Sequence, residues 1–161
     1  MRYWLVKSEP AEYSIEEFAA EKRAVWDGVR NYQARNYLKE MEEGDLVLFY
    51  HSNAKPPGVV GLARVVRARV PDPTQFDPAS KYFDPKSTRE NPRWITVELE
   101  HLKTFPRMVP LAELREHFSP EELALLRKGN RLSVMPVPQE VFERILELAE
   151  SPRATPRRPS S

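Results

Sequence analysis

The 161-residue sequence has no cysteine, only five glycines and no run of 18 apolar residues. The missing cysteines exclude a disulfide framework, a thiol nucleophile and a thiolate metal site. Without a long apolar run we expect no membrane span, and the N-terminus lacks the apolar segment of a secretion signal. We therefore expect a cytoplasmic location. Sixteen prolines and the absence of cysteine resemble a heat-adapted, thermostable composition.

The sequence also lacks a large excess of either charge. It has 25 basic and 24 acidic residues, so the net charge is +1. Three arginines and one glutamate give residues 150–161 a charge of +2, so the rest of the chain carries −1. A protein that coats a nucleic-acid backbone needs a much more basic surface. Any contact with nucleic acid must therefore be local, through a pocket and a few flanking Arg or Lys side chains.

The apolar content is sufficient for one core, since 40% of the residues are hydrophobic and 10% are aromatic. Apolar spacing, capping boxes and Gly or Pro breaks predict the elements of the fold. We expect a bulge or a close backbone approach at Gly61. Strands are predicted at residues 3–7, 46–51, 59–70, 94–109 (one strand or a bent hairpin) and 131–135, and helices at 14–20, 31–43, 110–118, 119–129 and 138–149.

This order of elements predicts an α+β fold, in which antiparallel strands close into a small barrel flanked by helices. Nothing divides residues 1–149, so we expect one domain there. Residues 71–93 are rich in proline and form a long irregular loop, which in a compact domain is usually functional or mobile. Residues 150–161 consist mainly of Pro, Arg and Ser and are expected to form a disordered tail.

The most informative stretch is WDGVRNYQARN, residues 26–36. It combines an indole, a phenol, a glycine turn, two guanidiniums and several carboxamides just before a helix that needs few of them for packing. Such a mixture suits a pocket that stacks a flat ring and reads its edge, and each stacked base contributes about 1–3 kcal/mol. Trp26 is the expected wall, with Tyr32 or Trp4 opposite, although a tryptophan within a strand, such as Trp4, is more often core.

Polar residues at the ends of elements are candidates for reading a base edge. Ser8 and Glu9 could present a hydroxyl and a carboxylate, and a carboxylate accepts from the amine of cytosine. Lys7 could hold a phosphate, although these residues also fit a plain strand end before a proline turn. Asn31 is typical of a helix N-cap, and a helix N-terminus also suits phosphate binding.

Histidine is scarce and does not indicate a metal site. His51 precedes Ser52 and Asn53 after an apolar strand, and no pair among the three histidines has zinc-ligand spacing. Neither a Gly-x-Ser-x-Gly elbow nor a phosphate-cradling glycine loop occurs. We therefore expect no metal and no cofactor, and Glu9 with His51 is the one acid–base pair that an enzyme could use.

Several aromatic residues lie in or next to the long loop. Phe76, Tyr82 and Trp94 either pin this loop to the fold or form a rim or lid over the pocket. The expected phosphate contacts outside the pocket are Arg30, Arg35 and Lys86.

Four motifs in this order resemble the EVE domain family: YWLVKSEP at residues 3–10, WDGVRNYQARN at 26–36, FYHSN at 49–53 and RLSVMP at 131–136. The resemblance covers residues 2–149 and implies a PUA-like fold. It also implies a reader of modified bases, with 5-methylcytosine and its oxidised forms in DNA as leading candidates. By position, it implies a base-binding pocket of Trp4, Lys7, Ser8, Glu9, Trp26, Asn31, Tyr32, His51, Ser52, Asn53, Ser133 and Pro136.

The sequence therefore predicts a binding module, not an enzyme, that holds one modified base flipped out of a duplex or already unpaired. The expected partner is DNA or RNA that contains a modified base, and the chain is expected to be a monomer. Two alternatives stay open. One is a reader of a modified or unpaired base in RNA, and the other is an enzyme acting on a nucleotide-like small molecule.

Overall fold

The computed structural model describes residues 1–151, so most of the expected tail, residues 152–161, lies outside the described residues. Its centre is a six-stranded mixed sheet with the strand order β2-β5-β4-β3-β1-β6. The strands are β1 (Tyr3–Ser8), β2 (Arg23–Val25), β3 (Leu46–His51), β4 (Gly58–Pro71), β5 (Ile95–Pro110) and β6 (Val134–Pro136). The helices are α1 (Ile15–Glu21), α2 (Tyr32–Glu40), α3 (Leu111–His117) and α4 (Gln139–Glu150), with 3₁₀ turns at Pro73–Phe76 and Ala124–Leu126.

The predicted α+β class is confirmed, but the predicted closed antiparallel barrel is wrong. The sheet is open, with β2 and β6 at its edges. β1 and β3 pair in parallel, and Ser8 lies opposite His51 at the end of that pair. The connection between them explains this pairing, because it contains α1, β2 and α2, and parallel strands require a long crossover of this kind. The other pairs are antiparallel.

The sheet buries apolar side chains on both faces, because successive residues of a strand point to opposite sides. In β1, Leu5 belongs to one cluster of buried residues, whereas Trp4 and Val6 belong to the other. Helices α3 and α4 cover the first face, where Ile145 packs. Helices α1 and α2 cover the second face, where Phe18 packs. The cleft described below opens beside this second cluster.

The predicted helix at residues 119–129 is wrong. Its capping box does form, since the Ser119 and Glu122 side chains each accept the other's backbone N–H. The chain then continues only as the 3₁₀ turn, because Leu123, Leu125 and Leu126 would point to different sides of a helix and could not form one apolar stripe. Three leucines of this segment are buried: Leu123, Leu125 and Leu126.

Other differences are smaller. The short strand β2 was not predicted, β5 is one long strand with no hairpin, and α2 ends at Glu40, three residues early. The irregularity expected at Gly61 is confirmed, because the β4–β5 register shifts between Val59 and Gly61. A Cβ at Gly61 would also lie 2.6 Å from Cδ1 of Ile15. Within residues 1–151, no helix combines the length and apolar character needed to cross a bilayer.

Candidate functional site

A cleft of ≈ 850 Å³ lies where β1 and β3 end and β6 begins. Its volume is within the range of small-molecule sites. Because β1 and β3 are parallel and in register, the residues that follow them emerge side by side, and the Ser52 N–H donates to the Ser8 carbonyl at 3.0 Å. Ligands commonly bind at such carboxyl ends. The predicted pocket and rim residues that line the cleft are Lys7, Ser8, Glu9, Trp26, Ser52, Asn53, Ser133 and Tyr82, together with Arg30.

Trp26 forms an apolar wall of the cleft and is 7% exposed. Its ring meets Phe49, Phe18 and Tyr13 edge-on, at centroid distances of 5.5, 6.4 and 6.2 Å. The backbone is fixed as well, because the Trp26 N–H donates to the Val97 carbonyl at 2.9 Å. The indole N–H of Trp26 has no acceptor anywhere in residues 1–151. The cleft is therefore lined by a rigidly held ring whose indole N–H has no protein partner in the described residues.

The Asp27 carboxylate, next in the chain, also lines the cleft. Within the described part of the chain, its oxygens accept a hydrogen bond from no other residue and form no ion pair. Burial raises the pKa of the Asp27 carboxyl above its usual value, and the Asp72 carboxylate raises it further, while Arg30 opposes both. This carboxylate is exposed in the cleft and forms no hydrogen bond or ion pair with another of the described residues, so it is a candidate ligand group.

The Tyr82 ring lines the cleft and packs against Gly28, which has a φ of +85°. A Cβ at Gly28 would lie 2.8 Å from Cε2 of Tyr82. Only glycine combines this left-handed backbone with such close contact. The structure thus places Tyr82 at the edge of the cleft, the position predicted for a rim residue.

Both cationic and carboxylate side chains line the cleft. Burial lowers the pKa of the Lys7 ammonium, which has no hydrogen-bond or ion-pair partner within residues 1–151. Arg131 likewise has no carboxylate partner there, whereas Lys81 lies 3.8 Å from the Glu12 carboxylate in an exposed and therefore weak pair. Lys7 and Arg131 are thus available to an incoming anion.

Several other polar groups of the cleft are already engaged with each other. Ser8 Oγ donates to the Tyr13 carbonyl at 2.6 Å, and the Asn53 amide donates to Glu9 at 3.4 Å. The Tyr13 hydroxyl donates to Glu21 at 2.6 Å, and burial followed by this bond raises the pKa of that phenol. These contacts order the walls of the cleft and leave lone pairs on the Ser8 hydroxyl and the Glu9 carboxylate.

Arg30 lines the cleft but does not fit the predicted role of a phosphate contact. Its five N–H groups all donate within the protein, to the carbonyls of Val29 and Tyr82, the Asp72 carboxylate and the Thr74 hydroxyl, at 2.7–3.1 Å. The side chain therefore clamps the long loop to the segment after β2.

Two of the predicted pocket residues belong to the frame of the fold. Trp4 is fully buried in the core, where its indole N–H donates to Asp45 at 3.0 Å. His51 Nε2 accepts the Ile15 backbone N–H at 3.1 Å, and burial lowers the pKa of its imidazole, while Glu16 raises it. His51 therefore caps the first turn of α1 and does not line the cleft, so the structure does not assemble the Glu9–His51 pair that an enzyme would need.

The remaining predicted residues lie outside the cleft. Asn31 is the N-cap of α2 and accepts the Ala34 N–H at 2.9 Å, and Pro136 pairs with Trp4 in the sheet. Five further residues that were predicted for the pocket, its rim or phosphate contact also lie outside the cleft: Tyr32, Phe76, Trp94, Arg35 and Lys86.

The prediction missed several residues that line the cleft. Asp27, Gly28, Val29 and Arg131 lie inside the motifs that indicated a pocket, so the signal was present but was not resolved to these side chains. Ala24 and Val25 belong to β2, which was not predicted. Others are brought in by α1 and the long loop and carry no local signal: Glu12, Tyr13, Glu21 and Lys81. Across the described residues, no group of three or more His, Asp or Glu could hold a metal ion.

The EVE domain family model matches residues 2–148. The chain belongs to the EVE domain family. Mouse thymocyte nuclear protein 1 is 41% identical to this EVE domain, over 92% of this chain and 74% of the mouse protein. The resemblance inferred from the four motifs is thereby confirmed.

Solved structures support the same assignment. A Pseudomonas putida protein superposes on this EVE domain with a TM-score of 0.87 and 50% identity, covering 91% of this chain and 99% of the other. The human THYN1 protein, solved in complex with DNA that contains 5-methylcytosine, has a TM-score of 0.86 and 38% identity, covering 94% and 99% of the two chains. These neighbours confirm the EVE, PUA-like fold that the resemblance implied.

Proposed function

We propose that this EVE domain is a binding module that recognises a modified nucleobase in the cleft, with 5-methylcytosine or an oxidised derivative in DNA as the preferred ligand. One observation carries the proposal: two consecutive residues line the same cleft. Trp26 forms an apolar wall, and the Asp27 carboxylate has no hydrogen-bond or ion-pair partner within residues 1–151. The human THYN1 protein, solved with DNA that contains 5-methylcytosine, supports the choice of ligand.

The Asp27 carboxylate suits the exocyclic amine of cytosine. A carboxylate accepts from that amine, which is a recognised mode of reading cytosine. Thymine also carries a 5-methyl group, but it presents a carbonyl oxygen where cytosine has the amine. That oxygen would face the Asp27 carboxylate without a proton between them, so the cleft discriminates against thymine.

Trp26 contributes a donor and an apolar surface, but not the two-ring slot that the sequence suggested. It is only 7% exposed, and both predicted partners, Trp4 and Tyr32, lie outside the cleft. The free indole N–H of Trp26 is matched to an acceptor such as the ring nitrogen or the carbonyl of cytosine. The base then lies between this edge and the Tyr82 side of the cleft.

The 5-methyl group requires an apolar contact, and the cleft supplies Ala24, Val25 and Val29. One group of this size provides only about 1–3 kcal/mol of discrimination in an apolar pocket. Extracting a base from a duplex costs a few kcal/mol. We therefore expect modest selectivity for the methyl group and a preference for sites that are unpaired or easily opened. Lys7 and Arg131 replace Arg30 as the groups that would contact phosphate.

Fluorescence anisotropy with short labelled oligonucleotides tests the proposal. The DNA and RNA arms each contain unmodified cytosine, 5-methylcytosine, 5-hydroxymethylcytosine or N6-methyladenine in one sequence context. We expect the 5-methylcytosine or 5-hydroxymethylcytosine DNA to bind best and Trp26→Ala to remove that preference. Arg144→Ala, on the exposed face of α4, is the matched surface control. A preference confined to the RNA arm would establish the RNA alternative, and equal binding of all members would refute base recognition.

A further inference from the structure

Beside the cleft lies a second surface, the Tyr32 platform, formed by Tyr32, Trp94, Arg35 and Arg93. The Tyr32 ring stacks on Trp94 with a centroid distance of 4.8 Å and an angle of 16° between the rings. Tyr32 is 52% exposed although Trp94 beneath it is 6% exposed. An aromatic ring that is exposed yet held flat against a buried one is suited to stacking with a further ring.

Rigid contacts hold the base of the platform. The Trp94 indole donates to the Asp84 carboxylate at 2.8 Å, and the Trp94 backbone N–H donates to the buried Gln75 side chain at 3.0 Å. The Arg35 guanidinium lies 4.8 Å from the Tyr32 ring centroid. A pre-ordered surface loses less conformational entropy on binding, which favours a binding role over an incidental exposed ring.

The platform carries two positive charges that have no direct ion-pair partner in the described part of the chain. Neither Arg35 nor Arg93 forms an ion pair within residues 1–151. Arg35 donates to the Arg93 carbonyl at 2.9 Å and to the neutral Asn36 side chain, and Arg93 approaches the Tyr32 hydroxyl at 3.4 Å. The Asp84 carboxylate below interacts electrostatically with Arg93, but its hydrogen bond is made with the Trp94 indole. The platform therefore offers two guanidiniums beside an aromatic face.

A continuous series of contacts connects the platform to the cleft. The Arg30 guanidinium lies 5.5 Å from the ring of Tyr82, at the edge of the cleft, and 5.0 Å from the ring of Trp94, on which Tyr32 stacks. Nucleotides of one strand are separated by about 3.4 Å along a B-form helix. The platform thus lies within a few nucleotides of a base held in the cleft.

We propose that the Tyr32 platform binds an unpaired nucleotide that flanks the modified base on the same strand. Its base stacks on Tyr32, and Arg35 and Arg93 contact the adjacent phosphates. Such stacking tolerates any base, because every base has a π-face. The platform therefore adds affinity for single-stranded or locally opened nucleic acid without adding sequence preference. This inference rests on the proposed function of the cleft, because the occupant is a continuation of the strand bound there.

The first test compares two ligands of different length. One is the nucleoside 5-methyl-2′-deoxycytidine, measured by calorimetry, and the other is a nine-nucleotide single strand with one central 5-methylcytosine, measured by anisotropy. Tyr32→Ala should weaken binding of the nine-nucleotide strand about fivefold or more and leave nucleoside binding unchanged. Tyr32→Phe keeps the ring and should bind like the parent protein. Equal strand binding by the parent and Tyr32→Ala would overturn the inference.

The second test measures the phosphate contacts through salt. Arg35→Ala and Arg93→Ala should each reduce the slope of log affinity against log salt by about 0.7, the value for one single-strand phosphate contact. Arg144→Ala removes one exposed arginine from α4 and should leave the slope unchanged. Unchanged slopes for both platform variants would also overturn the inference.

The two proposals fail differently. If the parent protein binds the nucleoside and the strand equally well, the cleft is a base site and the platform has no role. If the parent protein binds neither ligand, the proposed function fails and the inference fails with it.

Discussion

The Arg30 guanidinium lies 3.0 Å from the Asp72 carboxylate, and this ion pair joins the wall of the cleft to the long loop. Asp72 is 2% exposed and also accepts the backbone N–H groups of Gly28 and Thr74, each at 2.8 Å. One carboxylate thus orders both the glycine turn after β2 and the start of the loop that carries Tyr82. This ion pair therefore holds the wall of the cleft and the long loop together.

Replacing Arg30 with lysine distinguishes a clamp from a phosphate contact. Arg30→Lys keeps the charge but cannot reproduce five N–H contacts. We expect the free energy of unfolding to fall by about 1–3 kcal/mol, the scale of hydrogen bonds to charged groups. Urea denaturation measures this change, and Arg64→Lys, in an exposed pair, is the matched control. If Arg30→Lys kept full stability but lost salt-dependent affinity, the clamp role would be wrong.

Gly28 and Gly44 offer a matched pair of substitutions, since both have positive φ, +85° and +95°. Gly28→Ala and Gly44→Ala should each lose about 1–2 kcal/mol of stability through the left-handed backbone. At Gly28 the added Cβ would also press on the Tyr82 ring, whereas nothing lies within 4 Å at Gly44. We therefore expect a larger loss for Gly28→Ala, by about 1 kcal/mol or more, and weaker base binding for that variant alone. Equal effects in denaturation and anisotropy would show that the Tyr82 contact is unimportant.

The part of the site that could be predicted lies at the ends of strands. Ser8 and Glu9 follow one apolar strand and Ser52 and Asn53 follow another, so local patterns indicate polar groups at one edge. Their meeting depends on the parallel pairing of β1 and β3, which no local pattern reveals. The motifs thus supplied many of the residues that line the cleft, although the predicted barrel was wrong.

The residues whose predicted roles do not match the structure share one physical cause. Trp4, Arg30 and His51 each have a polar group that could serve a ligand, and in each case that group is bonded within the fold. A single sequence does not show which polar atoms find internal partners, because those partners are up to 52 residues away, as for Arg30 and Tyr82. The same limit hid Asp27, whose importance lies in having no such partner.

The ionised Asp27 carboxylate should lower the stability of the fold and strengthen base recognition. Its folded-state pKa is raised, so ionisation costs folding free energy, and that cost is relieved as the pH falls through the folded pKa. Asp27→Asn should therefore raise the melting temperature at pH 7. The variant loses the charged acceptor, so the preference for 5-methylcytosine over thymine should fall about tenfold, within the range of one base-reading contact. Thermal melting and paired anisotropy titrations measure the two effects.

Asp84 serves as a control for Asp27, because its pKa is shifted in the opposite direction. The hydrogen bond from the Trp94 indole, followed by that from the Lys86 backbone, lowers the pKa of Asp84. Its contribution to stability is therefore present above the unfolded pKa and is lost as the pH falls through the folded one. Asp84→Asn should lower the melting temperature at pH 7. If Asp27→Asn and Asp84→Asn shifted melting in the same direction, the opposite pKa shifts would not govern stability at these sites.

Lys7 should make binding sensitive to alkaline pH. Burial lowers the pKa of its ammonium below the ordinary lysine value, and nothing within residues 1–151 compensates the charge. The positive charge that would hold a phosphate is therefore lost as the pH rises through this lowered pKa, earlier than for an exposed lysine. Affinity for a strand of adenine and 5-methylcytosine only should therefore begin to fall at a lower pH than an exposed lysine would impose.

Lys7→Gln should bind more weakly at neutral pH and lose the alkaline decline. Lys86→Gln, an exposed change outside the cleft, removes the same charge and should retain the decline of the parent protein. Anisotropy titrations at constant ionic strength separate this effect from general screening. A decline of equal size in the parent and Lys7→Gln would assign the titration to another group and remove Lys7 from the site, because a group that is absent cannot impose the pH dependence of binding.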